Sequence, residues 1–460
     1  MNLPVTRVLV ANRGEIALRV IRACQQMGIE TVLAASVADR DSLPAREADR
    51  MVCIGPARSA QSYLNVQAII TAAQGTGADA VHPGYGFLAE SPELAQACAD
   101  HGLTFIGPQP GQIRDMGNKI KARERAKAFG LPMLPGSEKV HSYQEAAEVA
   151  RRIGFPVMLK AAAGGGGRGM KIVTQSDQLQ RMFESASAEA RAAFGDDSLY
   201  LERYIANARH VEVQVLGDRF GNVIHLGERD CSLQRRHQKL VEESPAPAIT
   251  EPLREAIREA GVTLARSIGY ENAGTVEFIY DEQEKKFYFL EMNTRIQVEH
   301  PVSEMVTGID LVQEQIRVAR GEALRFRQQD IVFRGHALEC RINAEVPGEG
   351  FRPSPGRISK WSPPAGPNIR VDSHCHAGYA VPPDYDSMIG KLIVYGSSRT
   401  EAIERMGQAL ARFKVQGIGT TLEFLGQVMR HPDFIAGRVS TSLVGQILDE
   451  QKNQAPGERP

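Results

Sequence analysis

The sequence predicts a multidomain protein that combines α/β and α+β architecture, and two regions of the chain indicate this class. Near the start, residues 7–11, 15–27 and 31–36 follow the pattern of a strand, a helix and a strand, the βαβ order that opens a parallel sheet. After Gly321, a strand-like stretch at 335–343 precedes a Pro- and Gly-rich segment and a helical stretch at 401–413. We therefore expect an open parallel α/β domain first and an α+β domain last.

The composition excludes several classes of protein. The 460 residues carry a formal net charge of −1, which gives no argument for binding nucleic acid or an acidic membrane. No apolar run approaches about 18 residues, so we expect no membrane span, and the first residues lack the features of a secretory signal. Six cysteines are scattered without a C-x-x-C pair, which fits a reducing compartment and favours a cytoplasmic location.

We expect three domains and a tail. The first, at 1–112, is the open α/β sheet, and the turn at 11–14 lacks the G-x-G-x-x-G fingerprint of dinucleotide binding. The second, at 113–333, includes a glycine-rich subdomain at about 133–205. The third, at 334–448, is the α+β domain, and residues 449–460 are predicted to be a disordered tail.

An acidic hairpin at 274–301 is the central candidate for a functional site. Two runs of β-branched and aromatic residues flank a polar loop, and folding about Glu284 places Glu277 opposite Glu291. Facing carboxylates repel each other, but a divalent cation such as Mg²⁺ between them makes the pair tolerable. Asn293 lies on the same strand face as Glu291. The alternative is an edge hairpin whose acids point to solvent.

A polar row follows the hairpin. Arg295, Gln297 and Glu299 alternate along the chain, so in an extended segment they share one face and continue from Glu291 and Asn293. Such a row leaving a buried strand is typical of an active-site floor.

A glycine run at 163–169 joins two predicted strands and does not lead into a helix, so it is not a P-loop. Its backbone N–H groups could close over phosphates, although a floppy surface hairpin has the same composition. Lys160, which enters the run, and Lys119, inside a predicted helix at 113–128, favour nucleotide binding.

Two further segments are rich in potential ligands. Residues 228–243 concentrate charge at Arg235, Arg236, His237 and Lys239, which favours a segment lining an anion site over a solvated loop. The sequence His374-Cys375-His376 could place two imidazoles on one strand face. No further pair of zinc ligands accompanies them in the sequence, so a specific metal site there is not favoured.

Several long motifs resemble the biotin carboxylase subunit of acetyl-CoA carboxylase, an ATP-grasp enzyme, over about residues 8–443. They are ANRGEIALR, HPGYGFLAE, GGGGRGMKIV, ERDCSLQRRHQKLVEE, FLEMNTRIQVEHPV, GHALECRINAE, PSPG and YDSMIGKL. The resemblance implies an ATP-grasp fold, preceded by a Rossmann-like open parallel α/β domain and followed by an α+β C-terminal domain. The chain departs from the family pattern at Ala162 and Ala163, which shorten the glycine run, and at Arg203, where a lysine is usual.

The resemblance also implies the reaction. ATP with Mg²⁺ or Mn²⁺ would convert bicarbonate to carboxyphosphate and carboxylate biotin, the first half-reaction of an acetyl-CoA carboxylase in fatty acid synthesis. No Ala-Met-Lys-Met biotin-acceptor motif is present, so biotin is expected on a separate carrier protein, with separate carboxyltransferase subunits. A homodimer is also implied. The alternatives are a subunit of a split pyruvate or other acyl-CoA carboxylase, another ATP-grasp carboxylate–amine ligase, or a nucleotide-binding regulatory subunit.

Site residues follow from the resemblance position by position. Those implied to bind the nucleotide are Lys119, Lys160, Gly166, Gly167, Glu202, Arg203, Tyr204, Ile205, His210, Gln234 and His237, together with Glu277 and Glu291. The metal would be held by Glu277, Glu291 and Asn293. Bicarbonate would contact Lys239, Arg295, Gln297 and the backbone of Val298. Glu299 would be the general base, and Arg341 would bind biotin and stabilise its ureido oxygen.

Overall fold

The computed structural model describes residues 5–161 and 170–454. Its first part is a five-stranded parallel sheet in the order β3-β2-β1-β4-β5. The elements are β1 (Arg7–Val10), α1 (Gly14–Gln26), β2 (Glu30–Ser36), α2 (Leu43–Glu47), β3 (Arg50–Gly55), α3 (Val66–Thr76), β4 (Ala80–His82), α4 (Pro92–Asp100) and β5 (Thr104–Phe105).

Burial explains why this sheet forms. Val8, Leu9 and Val10 of β1 have no exposed surface, as expected for a parallel strand that helices cover on both faces. The strand order places a topological switch point between β1 and β4, where an open α/β sheet has its crevice. The open parallel α/β domain predicted from the sequence is thus confirmed.

The next segment forms a small sheet with its helices. The elements are α5 (Pro110–Gly117), α6 (Lys119–Ala128), α7 (Tyr143–Ile153), β6 (Val157–Ala161), β7 (Lys171–Val173), α8 (Leu179–Phe194) and β8 (Leu199–Arg203), and the sheet order is β7-β6-β8. The single helix predicted at 113–128 is wrong. Asn118 interrupts it, because its side-chain oxygen accepts from the backbone N–H groups of Ile120 and Lys121, both at 3.1 Å, and so caps a new helix.

An eight-stranded antiparallel sheet follows, in the order β13-β12-β9-β10-β11-β14-β21-β19. Its first strands are β9 (Arg209–Gly217), β10 (Val223–Arg235), β11 (Gln238–Ser244), β12 (Asn272–Asp281) and β13 (Lys286–Asn293). The helices in this part of the chain are α9 (Glu251–Ser267), α10 (His300–Thr307) and α11 (Leu311–Ala319). The sheet therefore continues without a break from the acidic hairpin, β12 and β13, into the C-terminal part of the chain.

The remaining elements form the α+β part. They are β14 (His336–Asn343), β15 (Glu345–Val346), β16 (Arg352–Pro353), β17 (Gly356–Arg357), β18 (Lys360–Ser362), β19 (Ile369–Asp372), β20 (Ala380–Val381), β21 (Met388–Gly396), α12 (Arg399–Arg412), β22 (Lys414–Gln416), α13 (Leu422–Val428), α14 (Pro432–Ile435) and α15 (Leu443–Gln454). Residues 449–454, predicted as the start of a disordered tail, belong to α15; the rest of that tail lies outside the described residues.

The charge-rich stretch at 228–243 is a buried strand pair. Arg235 pairs with Gln238, so a two-residue turn of Arg236 and His237 joins β10 to β11, with φ of 48° and 66°. Positive φ at both central residues is the geometry of a type I′ hairpin turn. In the part of the chain that the structure covers, no helix is both long and apolar enough to span a membrane.

Candidate active site

The predicted site residues line one cavity of about 1050 Å³ between the three-stranded and the eight-stranded sheet. The cavity lining includes every described member of that set: Lys119, Lys160, Glu202, Arg203, Tyr204, Ile205, His210, Gln234, His237, Lys239, Glu277, Glu291, Asn293, Arg295, Gln297, Val298, Glu299 and Arg341. Gly166 and Gly167, like Ala162 and Ala163, lie outside the described residues. The structure thus brings together groups that are more than 200 positions apart in sequence.

The acidic hairpin has the register expected from its sequence. Glu277 of β12 pairs directly with Glu291 of β13, so that prediction is confirmed. Asn293 Nδ2 donates to Glu277 Oε1 at 2.8 Å, and His210 Nε2 lies 2.8 Å from Glu277 Oε2. Burial would raise the pKa of Glu277, but Lys239 and His210 hold it well below its usual range. Glu277 is therefore an anion inside the cavity.

The donor set of the hairpin fits a hard divalent cation. Two carboxylates and an amide oxygen are the ligand types that Mg²⁺ and Mn²⁺ take, with phosphate oxygens completing the shell. Glu291 is partly exposed at the cavity mouth, with Lys119 Nζ 3.6 Å from its Oε2. Potential ligand atoms of His210, Glu212 and Glu277 also lie within 4.8 Å of one another. Lys239, however, donates to Glu212 at 2.6 Å, and this ammonium opposes a cation at that second position.

The polar row after the hairpin differs from the prediction. Residues 294–295 form a bend and 298–299 a turn, with irregular backbone between them, so Arg295, Gln297 and Glu299 do not share a face by strand alternation. His300 Nδ1 lies 2.8 Å from the Gln297 carbonyl, and Pro301 sits in the first turn of α10, where its fixed φ favours a helix start. The turn nevertheless directs Gln297 and Glu299 into the cavity.

Lys239 is the centre of the site's charge network. Its Nζ donates to Glu299 Oε1 at 2.5 Å, Glu212 Oε2 at 2.6 Å, Glu277 Oε1 at 3.3 Å and Gln297 Oε1 at 3.4 Å. Burial would lower the pKa of Lys239, but the surrounding acids hold it well above the usual value. The ammonium therefore stays charged and joins β11 to both the hairpin and the turn that follows it.

Arg341 links Glu299 to a second acid. Its Nε donates to Glu242 Oε1 at 2.6 Å and one terminal nitrogen donates to Glu299 Oε2 at 2.9 Å. Burial would raise the pKa of Glu299, but Lys239 and Arg341 hold it well below its usual range. Burial raises the pKa of Glu242 to about 7 against the pull of Arg341. Glu299 is thus an ionised, weakly basic carboxylate between two cations.

Arg295 and Val298 are fixed from outside the hairpin. Arg295 Nε donates to Glu90 Oε2 at 2.9 Å, which ties the turn to the N-terminal domain. The carbonyl of Val298 accepts from Lys391 Nζ at 2.7 Å. Both contacts come from parts of the chain far from the hairpin in sequence.

The other end of the cavity carries cations and apolar side chains. Lys160 Nζ donates to Glu202 Oε2 at 2.5 Å, and Arg123 also pairs with Glu202. Arg203 pairs with Glu284 at 2.5 Å, while Tyr204 and Ile205 follow β8 as half-buried residues. The apolar lining consists of Met158, Ile172, Ile279 and Leu290, with Leu134 and Met170 nearby. This end can accept a flat apolar ring beside a lysine.

Sequence reasoning missed residues that hold the site from behind. They are Glu90, Glu212, Arg229, Glu242 and Lys391. Glu212 alternates with His210 and Gln214 along β9, which was an available signal, and Arg229 Nε donates to it at 2.6 Å. The other contacts join distant segments, so the local sequence carries no signal for them.

Comparisons with known proteins agree with this geometry. Residues 4–113 match the family model "Biotin carboxylase, N-terminal domain", residues 118–327 match "Carbamoyl-phosphate synthase L chain, ATP binding domain", and residues 339–446 match "Biotin carboxylase C-terminal domain". A biotin carboxylase of Nostoc sp. is 54% identical, over 96% of this chain and 99% of that protein.

Solved structures give the same result. A biotin carboxylase–nucleotide complex from Campylobacter jejuni has a TM-score of 0.92 and 50% identity, covering 96% of this chain and 99% of its own. The biotin carboxylase domain dimer of the Hydrogenobacter thermophilus 2-oxoglutarate carboxylase, with MgADP, ADP and bicarbonate, has a TM-score of 0.90 and 48% identity, covering 96% and 97%. From its fold, its cavity and these matches over nearly its full length, the chain belongs to the biotin carboxylase family, ATP-grasp ligases that carboxylate biotin.

Proposed function

We propose that this chain uses ATP and bicarbonate to carboxylate biotin held on a separate carrier protein, and that the cavity residues divide this work. The single observation that supports the proposal most is the contact of Glu299 with both Lys239 and Arg341 beside the acidic hairpin. This arrangement puts two fixed cations and one carboxylate next to a metal-type donor pair. A small oxyanion can be bound there and phosphorylated by ATP.

The nucleotide occupies the end with the apolar lining. Its base packs between Met158, Ile279 and Leu290, beside the segment Glu202, Arg203, Tyr204 and Ile205. The phosphates extend toward Lys119 and Lys160, with His210, Gln234 and His237 around them. The resemblance also assigns the phosphates to Gly166 and Gly167, which lie outside the described residues. The pairing of Lys160 with Glu202 holds the ammonium in place before the phosphates arrive.

The hairpin holds the metal that accompanies ATP. Glu277, Glu291 and Asn293 would hold Mg²⁺ or Mn²⁺ through oxygen ligands, and the bound metal would supply neutralisation of phosphate charge. Phosphoryl transfer depends mainly on positioning and charge neutralisation. The protein's own share of this task falls to the lysines and to the rigid pairing of β12 with β13.

Bicarbonate sits on the turn at 295–299. It is surrounded by Lys239, Arg295, Gln297 and the backbone of Val298, with one bicarbonate oxygen facing the terminal phosphate of ATP. Attack of this oxygen on the terminal phosphorus forms carboxyphosphate and ADP. Cleavage of carboxyphosphate then releases CO₂ and phosphate. The ureido nitrogen of biotin loses its proton and adds to the CO₂ carbon.

Arg341 and Glu299 act on biotin. Arg341 donates to the ureido oxygen as negative charge develops. Glu299 is the general base. Lys239 and Arg341 hold the pKa of Glu299 low. An anion bound to these two cations raises the pKa of Glu299 again, because it offsets their positive charge. Inorganic phosphate shares the proton transfer.

The partners and setting are extensions of this function. A biotin carboxyl carrier protein delivers biotin, carboxyltransferase subunits take the carboxyl group, and the chain works as a homodimer in an acetyl-CoA carboxylase of fatty acid synthesis. The domain division at 1–112, 113–333 and 334–448 belongs to the same proposal. The six cysteines, at positions 24, 53, 98, 231, 340 and 375, are free thiols, which supports the proposed cytoplasmic location.

ATP cleavage measured with and without bicarbonate and free biotin tests the proposal. We expect ADP release to require bicarbonate and to rise when biotin is added. ATP turnover that ignores both additions would instead favour the carboxylate–amine ligase. Replacement of Glu277, Glu291 and Arg295 without loss of function would favour the non-catalytic regulatory subunit.

A further inference from the structure

Lys391 of β21 is a fully buried lysine whose ammonium lies directly behind the proposed bicarbonate site. Its Nζ donates to the Val298 carbonyl at 2.7 Å and lies 3.1 Å from Glu15 Oε1. The side chains of Lys391 and Glu15 are 0% and 1% exposed. Two hydrophobic residues of similar volume would fill such a position at lower desolvation cost. The charge of Lys391 is therefore not needed merely to fill the core.

Three separate parts of the chain meet at this ammonium. Lys391 comes from the C-terminal part, Glu15 from α1 of the N-terminal domain, and Val298 from the turn after the hairpin. Tyr85 also donates its hydroxyl to Glu15, and Asn12 Nδ2 donates to the Tyr85 carbonyl at 2.8 Å. Asn12 and Tyr85 follow β1 and β4, so the crevice at the sheet's switch point, a common ligand site, here receives Lys391.

The hydrogen bond from Lys391 to the Val298 carbonyl fixes the backbone of Val298 and Glu299. The Val298 carbonyl belongs to the peptide that leads into Glu299, so fixing it sets the direction in which the Glu299 side chain leaves the chain. It also holds the residue whose backbone is proposed to contact bicarbonate. Arg341 is the register partner of Lys391 across β14 and β21, and Asp372 Oδ2 lies 4.0 Å from the ammonium.

We propose that Lys391 is a positioning residue for the bicarbonate turn, and that Glu15 and Tyr85 of the N-terminal domain hold its ammonium in place. This inference rests on the proposed function, because the turn is assigned to bicarbonate there. Lys391 touches neither substrate nor nucleotide in this role; it acts through Val298 and Glu299. The N-terminal sheet thereby takes part in the reaction without lining the reacting centre.

Three variants of the full chain test the role by initial-rate ATP cleavage with biotin and varied bicarbonate. Lys391→Met is expected to raise the KM for bicarbonate by at least about 10-fold, with about 150-fold as the upper bound set by the charge-assisted hydrogen bond to the Val298 carbonyl. The KM for ATP should change less than about twofold. The double variant Glu15→Gln/Lys391→Met removes the charge of the acid nearest the lost ammonium and leaves the buried Glu339 and Asp372, which also face it. Its melting temperature should therefore recover in part while the bicarbonate KM stays high. Arg258→Met is the matched control, because it breaks a buried ion pair with Glu228 that does not touch the turn.

The outcomes separate the possible explanations. A raised bicarbonate KM in the double variant, with normal KM values in the control, supports the positioning role. Recovery of both stability and bicarbonate KM in the double variant would overturn it, since the lysine would then serve stability alone. Equal increases in both KM values for Lys391→Met would also overturn it. Wild-type ATP cleavage that needs no bicarbonate would instead overturn the proposed function and this inference with it.

Discussion

Replacement of Lys239 by glutamine tests the electrostatic centre of the site. The ammonium contacts Glu299 at 2.5 Å and Glu212 at 2.6 Å, and its side chain is only 12% exposed. Glutamine keeps an N–H donor on a shorter stem but removes the positive charge. The acids around position 239 would then face one another, with Arg229, Arg341 and His210 as the remaining positive partners.

Two magnitudes follow from this geometry. Breaking a buried ion pair by removing one partner costs about 3–5 kcal/mol of stability. Loss of one charge-assisted hydrogen bond to bicarbonate is worth about 1.5–3 kcal/mol, or about 10-fold to 150-fold in KM. Without Lys239, the largest opposing charge, the pKa of Glu299 should also rise. Apart from Glu277 and its neighbour His210, the proposed nucleotide contacts lie toward the other end of the cavity, so the KM for ATP should change less than about threefold.

The assay is ADP release at saturating ATP and biotin, with dissolved CO₂ removed and bicarbonate then titrated. Lys286→Gln is the matched control, since Lys286 lies on β13 outside the cavity lining and has a mostly exposed side chain. The reasoning would be refuted by an unchanged bicarbonate KM in Lys239→Gln, or by equal losses in the KM values for ATP and bicarbonate.

Three further predictions concern other parts of the structure. Arg341→Lys should lower kcat about 100-fold or more with an unchanged KM for ATP, because lysine cannot bridge Glu242 and Glu299 as the guanidinium does; steady-state kinetics measure both. Glu291→Gln should raise the Mg²⁺ concentration for half-maximal rate about 10-fold, as a metal titration would show. Burial opposes ionisation of Glu243, yet His336 and Arg399 hold its pKa at about 2, below the ordinary 4.5. The ionised carboxylate therefore adds about 3 kcal/mol to the free energy of unfolding above pH 4.5. This contribution is lost as the pH falls from 4.5 toward 2. The stability difference between wild type and Glu243→Gln should therefore shrink below pH 4.5 in denaturant unfolding.

Each of these predictions has a control and a contrary outcome. Arg352→Lys changes a mostly exposed arginine and should leave kcat unchanged. An Arg341→Lys enzyme with normal kcat would contradict the role of the guanidinium that bridges Glu242 and Glu299. Glu284→Gln alters the hairpin loop and should leave the Mg²⁺ requirement unchanged; equal effects of this variant and Glu291→Gln would remove the metal assignment. A stability difference for Glu243→Gln that is constant between pH 7 and pH 3 would contradict its depressed pKa.

Local patterns were sufficient for the parallel sheet and the acidic hairpin. The hairpin has two runs of β-branched and aromatic residues around a short polar loop, and this pattern fixes both the strands and the pairing of Glu277 with Glu291. The βαβ order at the start of the chain likewise depends on short-range hydrophobic periodicity. In these regions local preference and tertiary structure agree.

Tertiary pairing explains the failures. The segment 228–243 lacks an apolar period because its charged residues are neutralised by other strands, as Arg229 is by Glu212. Its turn uses Arg236 and His237, where Asn-Gly would have indicated a hairpin. The bend and turn that lead into α10 at His300 break the predicted extended row, although Pro301 was a visible sign of a helix start. Lys391 and Glu15 are neighbours only after three parts of the chain have assembled.

The fate of oxygen atoms from bicarbonate tests the central claim, that the cavity lets ATP phosphorylate bicarbonate. The enzyme would be incubated with ATP, biotin and [18O]bicarbonate, and the inorganic phosphate analysed by mass spectrometry. Attack of a bicarbonate oxygen on the terminal phosphorus predicts phosphate that carries one labelled oxygen for each ADP formed. Unlabelled phosphate, released at the same rate as ADP, would contradict the claim.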